Sequence, residues 1–299
     1  MSRLEHFYDS SDMSICVSAN TTYGELKNQI KKDGLDFPLA WDEDASLLEM
    51  LKLSPITSAS MNYGSWADSI LGININYKGE KLSLGGRVVK NVTGFDFNRA
   101  IVLGGWSILE PVDLVLRLRP VDDSESIQLS GELDSLKSFC KTLNKSPWGL
   151  SVDVLDFIYN EKPSVVVEYH GREHERNAIA THLKSLAIQF EIESKEIQYK
   201  FPFKYADHLT VLHTTISQTH DWCRKLHEEV GGEGVIHYSN GTIFWKTTTE
   251  VSEEKLIEWT KQLQSEGGFA CSKNFSPPVR DDLLKTHKKY LEQLELTHE

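Results

Sequence analysis

The run Gly85-Gly86-Arg87-Val88-Val89-Lys90-Asn91, with Gly94 shortly after it, brings paired glycines, two cations and a side-chain amide together. Glycine has no Cβ, so it exposes backbone N–H groups, and Arg87 and Lys90 carry the charge that balances a diphosphate or a reduced, anionic ring. These residues suit the cradle of a bulky anionic ligand. They equally suit a sharp hairpin corner with a solvated Lys and Arg, because glycine is the common currency of turns. Local sequence leaves both readings open.

Other spacings invite chemistry and do not support it. His170-Gly171-Arg172-Glu173-His174 fits H-x-x-E-H, a zinc-peptidase pattern that needs both histidines on one face of a continuous helix. Here the first histidine ends an apparent strand, SVVVEYHG, and the glycine favours a strand-to-helix turn. His213, His220 and His227 recur every seven residues, but His213 falls on a strand pattern and the other two on a helix, so they do not form a ligand set. Cys16, Cys140, Cys223 and Cys271 are far apart with no C-x-x-C, which indicates neither a zinc site nor a disulfide framework. No Ser-His-Asp elbow, P-loop or dinucleotide fingerprint is present.

The elements that must position the glycine-rich run are legible. A strand, MSICVSAN, leads through Thr22 into a helix, YGELKNQIKK, with Thr22 and Glu25 at capping-box spacing. Asp33-Gly34 stops that helix, and LDFPLAW returns extended. A hairpin follows: SILGININY, a turn at Lys78-Gly79-Glu80, then KLSL running into Gly85-Gly86. RVVK reads as a strand, NVTG as a turn, Phe95 as the start of a short helix, and VDLVLRLRP as a closing strand. PVDDSES has linker composition. Beyond Glu125 strand and helix patterns alternate, with a hairpin at GVIHYSNGTIFWKTTT, Ser252 as an N-cap, and a last helix over about 279–296. This second part reads as an α+β unit with an antiparallel sheet and helices on one face.

The chain has 299 residues, 39% hydrophobic and 25% charged, enough to bury two cores. Its formal charge of −12 argues against nucleic acid or an anionic membrane as a direct partner. Residues 1–120 account for −3 and the remainder for −9, which makes the front part the better host for an anion. The first residues are polar, and no apolar run spans a bilayer. The expectation is a cytoplasmic protein with no direct membrane insertion.

The segment from Gly85 to Ala100, followed by a strand ending in Arg117-Leu118-Arg119-Pro120, resembles the second half of a PCMH-type FAD-binding domain of the vanillyl-alcohol-oxidase superfamily. It is most similar to the E-type FAD-binding subunit of bacterial glycolate oxidase, where a GGRVVKNVAGYD-like segment leads into a strand ending in RLRP. The resemblance implies an α+β fold: a PCMH-type FAD-binding domain over 1–120, with an incomplete first subdomain and the second subdomain present, and an FAD-linked-oxidase-like α+β domain over 126–299. It implies FAD as cofactor, held by Gly85, Gly86, Arg87, Val88, Lys90, Asn91 and Gly94, with Gly104 and Ser107 surviving from a GSxGTLGVI-like run. It also implies a D-type FAD-linked oxidase subunit and an iron–sulfur subunit as partners, through which the protein would reach a membrane, and oxidation of glycolate or a related 2-hydroxy acid.

The chain departs from the family pattern in four places. It begins where the glycine-rich pyrophosphate loop would already have passed, so a lost segment or a misplaced start is expected. In the loop from Asp42 to Gly72, Leu48-Glu49 stand for the family's glycine pair, Ser54 for an asparagine and Thr57 for a glycine, although Tyr63-Gly64-Ser65 and Asp68 match. Leu and Glu there favour a short helix over a cofactor loop. Trp106 and Leu109 stand among the family's small residues, and the closing PxGIFNPGR-like motif is absent from this sequence. These departures support a rival reading, a flavin-free pseudoenzyme that keeps the fold as an interaction subunit.

Overall fold

The structure is a computed structural model that describes residues 6–275, apart from 55, 78–79, 87–101, 103–110, 122 and 266. Its front layer is a five-stranded antiparallel sheet in the order β1-β2-β6-β4-β5, formed by Phe7–Asp9 (β1), Ser14–Ser18 (β2), Ile70–Tyr77 (β4), Glu80–Gly85 (β5) and Pro111–Arg117 (β6). A two-stranded pair, Leu35–Asp36 (β3) with Arg119–Pro120 (β7), lies beside it. Strand alternation puts Ile73, Ile75, Leu114 and Leu116 on the core side, while Asn74, Asp113 and Val115 fall on the other face.

Helices cover the core side. The first, Tyr23–Ile30 (α1), carries the expected capping box: Glu25 N–H donates to Thr22 Oγ1 at 3.2 Å and Thr22 N–H to the Glu25 carboxylate at 2.9 Å. Leu47–Leu53 (α2) has a second one, between Ser46 and Glu49, and buries Leu47, Leu48, Met50, Leu51 and Leu53. A helix this short is marginal by itself in water. Burial contributes about 1.5–3 kcal/mol for each large apolar side chain, which sustains it. A four-residue turn of helix, Ser60–Tyr63 (α3), comes next, and then Trp66–Ser69 (α4), whose Trp66 packs edge-on against Phe37 in the same core.

The larger sheet has eight antiparallel strands in the order β11-β8-β10-β9-β13-β14-β12-β15. They are Ser124–Ser130 (β8), Val154–Tyr159 (β9), Ser164–His170 (β10), Glu193–Ile197 (β11), His208–His213 (β12), Glu233–His237 (β13), Thr242–Thr247 (β14) and Phe269–Ser272 (β15). One face is covered by Leu133–Lys145 (α5), Glu173–Gln189 (α6), Thr219–Val230 (α7) and Glu253–Gln264 (α8). Leu136 and Phe139, Leu183, Leu226, and Trp259 enter its core from the four helices in turn. Ser252 caps α8 as expected, accepting from Lys255 N–H. This is the α+β arrangement expected from the sequence, with β11 and β15 as additional edge strands.

The opposite face of the large sheet meets the front layer. Val211, Val235 and Phe244 pack with Leu53 of α2 and with Phe203, and Trp41 sits edge-on to Phe201 and Phe244. The apolar contact gives way to polar residues along one cross-strand row. Asp156 stands opposite His237, His237 opposite Thr242, and Thr242 opposite His213, so all four share this face. Among the described residues, no helix is long and apolar enough to cross a membrane.

Candidate functional site

Where the front layer meets the polar end of that row, a cavity of about 370 Å³ opens, within the size range of small-molecule sites. The front layer contributes Tyr23 and Lys27 from α1, Asp36 and Trp41, the stretch Thr57 to Ala59, Tyr63 and Arg119. Asp156, Glu168, His170 and His237 come from the large sheet, Asp153 from the position just before β9, and Tyr199, Lys200 and Phe201 from the segment after β11.

Two carboxylate–histidine pairs are set into its wall. Asp156 is fully buried and His237 is 2% exposed. The Asp156 Oδ1 atom lies 2.7 Å from His237 Nδ1 and accepts from Ser58 Oγ at 2.5 Å, while its Oδ2 accepts from Tyr199 OH at 2.8 Å. Both oxygens are thus committed. Burial, and then the Asp156 charge, hold the Tyr199 phenol well above its ordinary pKa, so it is a hydrogen-bond donor and not a base. Asp153 is equally engaged: Asn62 Nδ2 donates to its Oδ1 at 2.6 Å and His170 Nδ1 pairs with its Oδ2. Tyr63 stacks on the His170 ring at 6.4 Å between centroids.

Glu168 differs from the two aspartates. Ser126 Oγ donates to its Oε2 at 3.0 Å, and its Oε1 takes no hydrogen bond from a described residue. Burial raises its pKa, and the Asp153 and Asp156 charges raise it further, against the Ser126 hydrogen bond and the nearby His170. Like Asp36, whose Oδ2 takes no hydrogen bond from a described residue, it has capacity left to meet a ligand.

The residues expected from sequence to hold FAD are placed only in part. Gly85 ends β5 at φ +75°, a left-handed conformation that favours glycine, and Gly86 N–H donates to Leu71 O at 3.2 Å. Arg87, Val88, Lys90, Asn91, Gly94, Gly104 and Ser107 lie outside the described residues, as do Trp106, Leu109 and the expected last helix. His170 ends β10 while His174 lies within α6, so the two histidines of H-x-x-E-H share no helix.

For the FAD that the resemblance implies, the described part of the front loop does not fit. A cofactor loop needs free backbone N–H groups and room for close approach. Here Leu47 N–H donates to Thr21 O, Leu48 N–H to Ala19 O, Glu49 N–H to Ser46 Oγ and Met50 N–H to Ser46 O. Ser54 is wholly buried, its hydroxyl donating to Ile56 O. The following segment is spent on the large sheet: Ser58 on Asp156 and His237, Asn62 on Asp153, and Tyr63 on His170.

Sequence reasoning passed over Asp153, Asp156, Glu168, Tyr199 and His237. One signal was present. Asp156 interrupts the apolar strand VLDFIY and His237 ends the apolar strand EGVIH, and a charge inside a buried strand requires a partner. The identity of that partner is set by sheet register, which sequence does not display.

No family model matches the sequence, and no curated protein matches it. Solved structures do. Two crystal forms of an alkyldihydroxyacetonephosphate synthase match with TM-scores of 0.58 and 0.59, each at 13% identity, over 87% and 88% of this chain. A BBE-like protein, number 28 from Arabidopsis thaliana, matches with a TM-score of 0.57 at 13% identity over 87%. This chain spans 62%, 60% and 64% of the lengths of those three chains. At such identity the likeness speaks for architecture and not for activity. The chain has the fold of the PCMH-type FAD-binding proteins, with an antiparallel α+β unit following it.

Proposed function

We propose that this chain is a flavin-free relative of the glycolate oxidase E-type subunit, which keeps the PCMH-type fold as an interaction subunit of a 2-hydroxy-acid oxidase assembly. Its partners are a D-type FAD-linked oxidase subunit and an iron–sulfur subunit, and it reaches a membrane only through them. One observation carries this reading. The stretch from Leu47 to Tyr63, which stands for the family's cofactor loop, is a capped helix followed by residues hydrogen-bonded to Asp153 and Asp156. Those contacts take the donors and the space that a cofactor would use. Purified chain is expected to be colourless, with far less than one flavin per protein, and pull-down from native cells to recover the two partner subunits. A stoichiometric visible flavin band sinks the flavin-free reading. Recovery of the free chain alone, with the neighbouring oxidase active after deletion of the gene, sinks the subunit reading.

A second reading keeps FAD and makes the chain an FAD-binding oxidoreductase subunit of the same assembly. It is favoured by Gly85, which holds the left-handed backbone where the glycine cradle begins. When bound, FAD would supply the two-electron oxidation of the hydroxy acid. The variant that separates the readings is Lys90→Ala. It abolishes flavin affinity without changing the melting temperature if the cradle is in use, and does nothing measurable if it is not.

A further inference from the structure

We infer that the cavity between the front layer and the large sheet binds a small zwitterion, an α-amino acid with an apolar side chain. The charges of its wall define the ligand. Lys27 is matched by Glu43 at 2.8 Å, and the oxygens of Asp153 and Asp156 are already taken by hydrogen-bonding neighbours, His170 and Asn62 on one and His237, Ser58 and Tyr199 on the other. Asp36 accepts from Tyr23 OH and from Phe37 N–H. Four charged side chains in the lining make no salt bridge among the described residues: Asp36, Glu168, Arg119 and Lys200.

No two of these four form a salt bridge, although they share one cavity and Asp36 stands opposite Arg119 across the β3–β7 pair. Glu168 projects from β10, with one carboxylate oxygen uncommitted. Arg119, on β7, has a buried Nε with no hydrogen-bond partner among the described residues. Lys200 is exposed at the rim. Two partly buried acids and two bases without salt bridges leave room for one positive and one negative group inside the same space. An ammonium meets Glu168, and a carboxylate meets Arg119 and Lys200.

Two further observations point to an occupant. Thr57 is 5% exposed and lines the cavity, and its buried hydroxyl has no hydrogen-bond partner among the described residues. Trp41, Phe201 and Val154 give the same cavity an apolar wall, suited to a side chain that carries no charge. The volume admits a molecule of amino-acid size. A 2-hydroxy acid offers Glu168 a neutral hydroxyl in place of an ammonium, so the cavity favours the amino acid over the substrate class that the resemblance implies.

The inference rests on the flavin-free reading, since a bound ring would compete for the space. Its test therefore begins with the visible absorbance of the purified full chain and continues with calorimetric titration of three compounds of one shape: phenylalanine, phenethylamine and phenyllactate. Phenylalanine is expected to bind at least about tenfold more tightly than either compound lacking one charge. Lys200→Ala, at an exposed position that the fold does not need, is expected to weaken phenylalanine and leave phenethylamine unchanged. Glu168→Gln is expected to weaken both amines and spare phenyllactate. Phenyllactate binding as tightly as phenylalanine, or a colourless protein that binds no phenylalanine, overturns the inference and leaves the flavin-free reading standing. A yellow protein overturns both.

Discussion

Acid should destabilise this protein in part through one side chain, His213. It is 8% exposed on β12, with Nδ1 3.1 Å from Thr242 Oγ1, its ring against Phe269, and Nε2 buried without a partner among the described residues. Burial, reinforced by the neighbouring His237, pushes its pKa down from 6.5 to about 4. In the unfolded chain the ring takes up a proton as pH falls below 6.5, whereas in the folded chain it stays neutral until about 4. Its contribution is therefore complete above the unfolded value and is lost as pH falls between the two. A gap of about 2.5 at ~1.4 kcal/mol per unit sets a ceiling of about 3.5 kcal/mol, of which about 3 kcal/mol is lost by about pH 4, where the folded ring is itself half protonated. Urea unfolding at about pH 7 and about pH 4, on the natural chain and on His213→Leu, isolates that amount. The leucine leaves the Thr242 hydroxyl unpaired at both pH values, so its effect cancels in the comparison. The natural chain should lose about 3 kcal/mol more than the variant over that interval. If the two lose the same amount, His213 is not held neutral by burial and the argument fails.

Asp156→Ala strips His237, Tyr199 and Ser58 of their shared acceptor and should cost about 3–5 kcal/mol; Ser58→Ala leaves the other two donors in place and should cost about 1 kcal/mol. Urea midpoints separate the two, and equal losses would mean that the cluster does not act as a unit. Gly234→Ala places a Cβ 2.4 Å from Trp245 Cε3 and 3.1 Å from Phe244 O across the β13–β14 pair. It should cost about 1–3 kcal/mol through overpacking, read as a lowered melting temperature, and an unchanged melting temperature would refute the close packing of that pair.

Local chemistry made the elements readable. Thr22 with Glu25, Ser252 before α8, and Leu48-Glu49 as helix formers each act within one turn, and each is found as the sequence implies. LDFPLAW was less legible, with only Leu35–Asp36 extended as a strand. β11 escaped notice because ESKEI has no apolar alternation to mark it. The candidate site escaped for a different reason. Ser58, Asp156 and His237 are separated by 98 and 81 positions along the chain, and the contact depends on two strand registers and on the seating of one layer on another. The glycine-rich run was the most conspicuous feature of the sequence, but of its candidate residues only Gly85 and Gly86 fall among the described ones.

β11 also bears on how this molecule behaves in a crowd. It forms one margin of the eight-stranded sheet, bonded to β8 along a single side, and a bare margin is a template on which another chain can add a strand. Glu193, Ser194, Lys195 and Glu196 are all exposed there, and Lys184 of α6 reaches across to Glu196 at 2.9 Å. An incoming strand would have to strip water from this row of charges before its first hydrogen bond formed. This border is thereby disfavoured for self-templated growth, and a subunit that meets the molecule along β11 does so through side chains, not by adding a strand there.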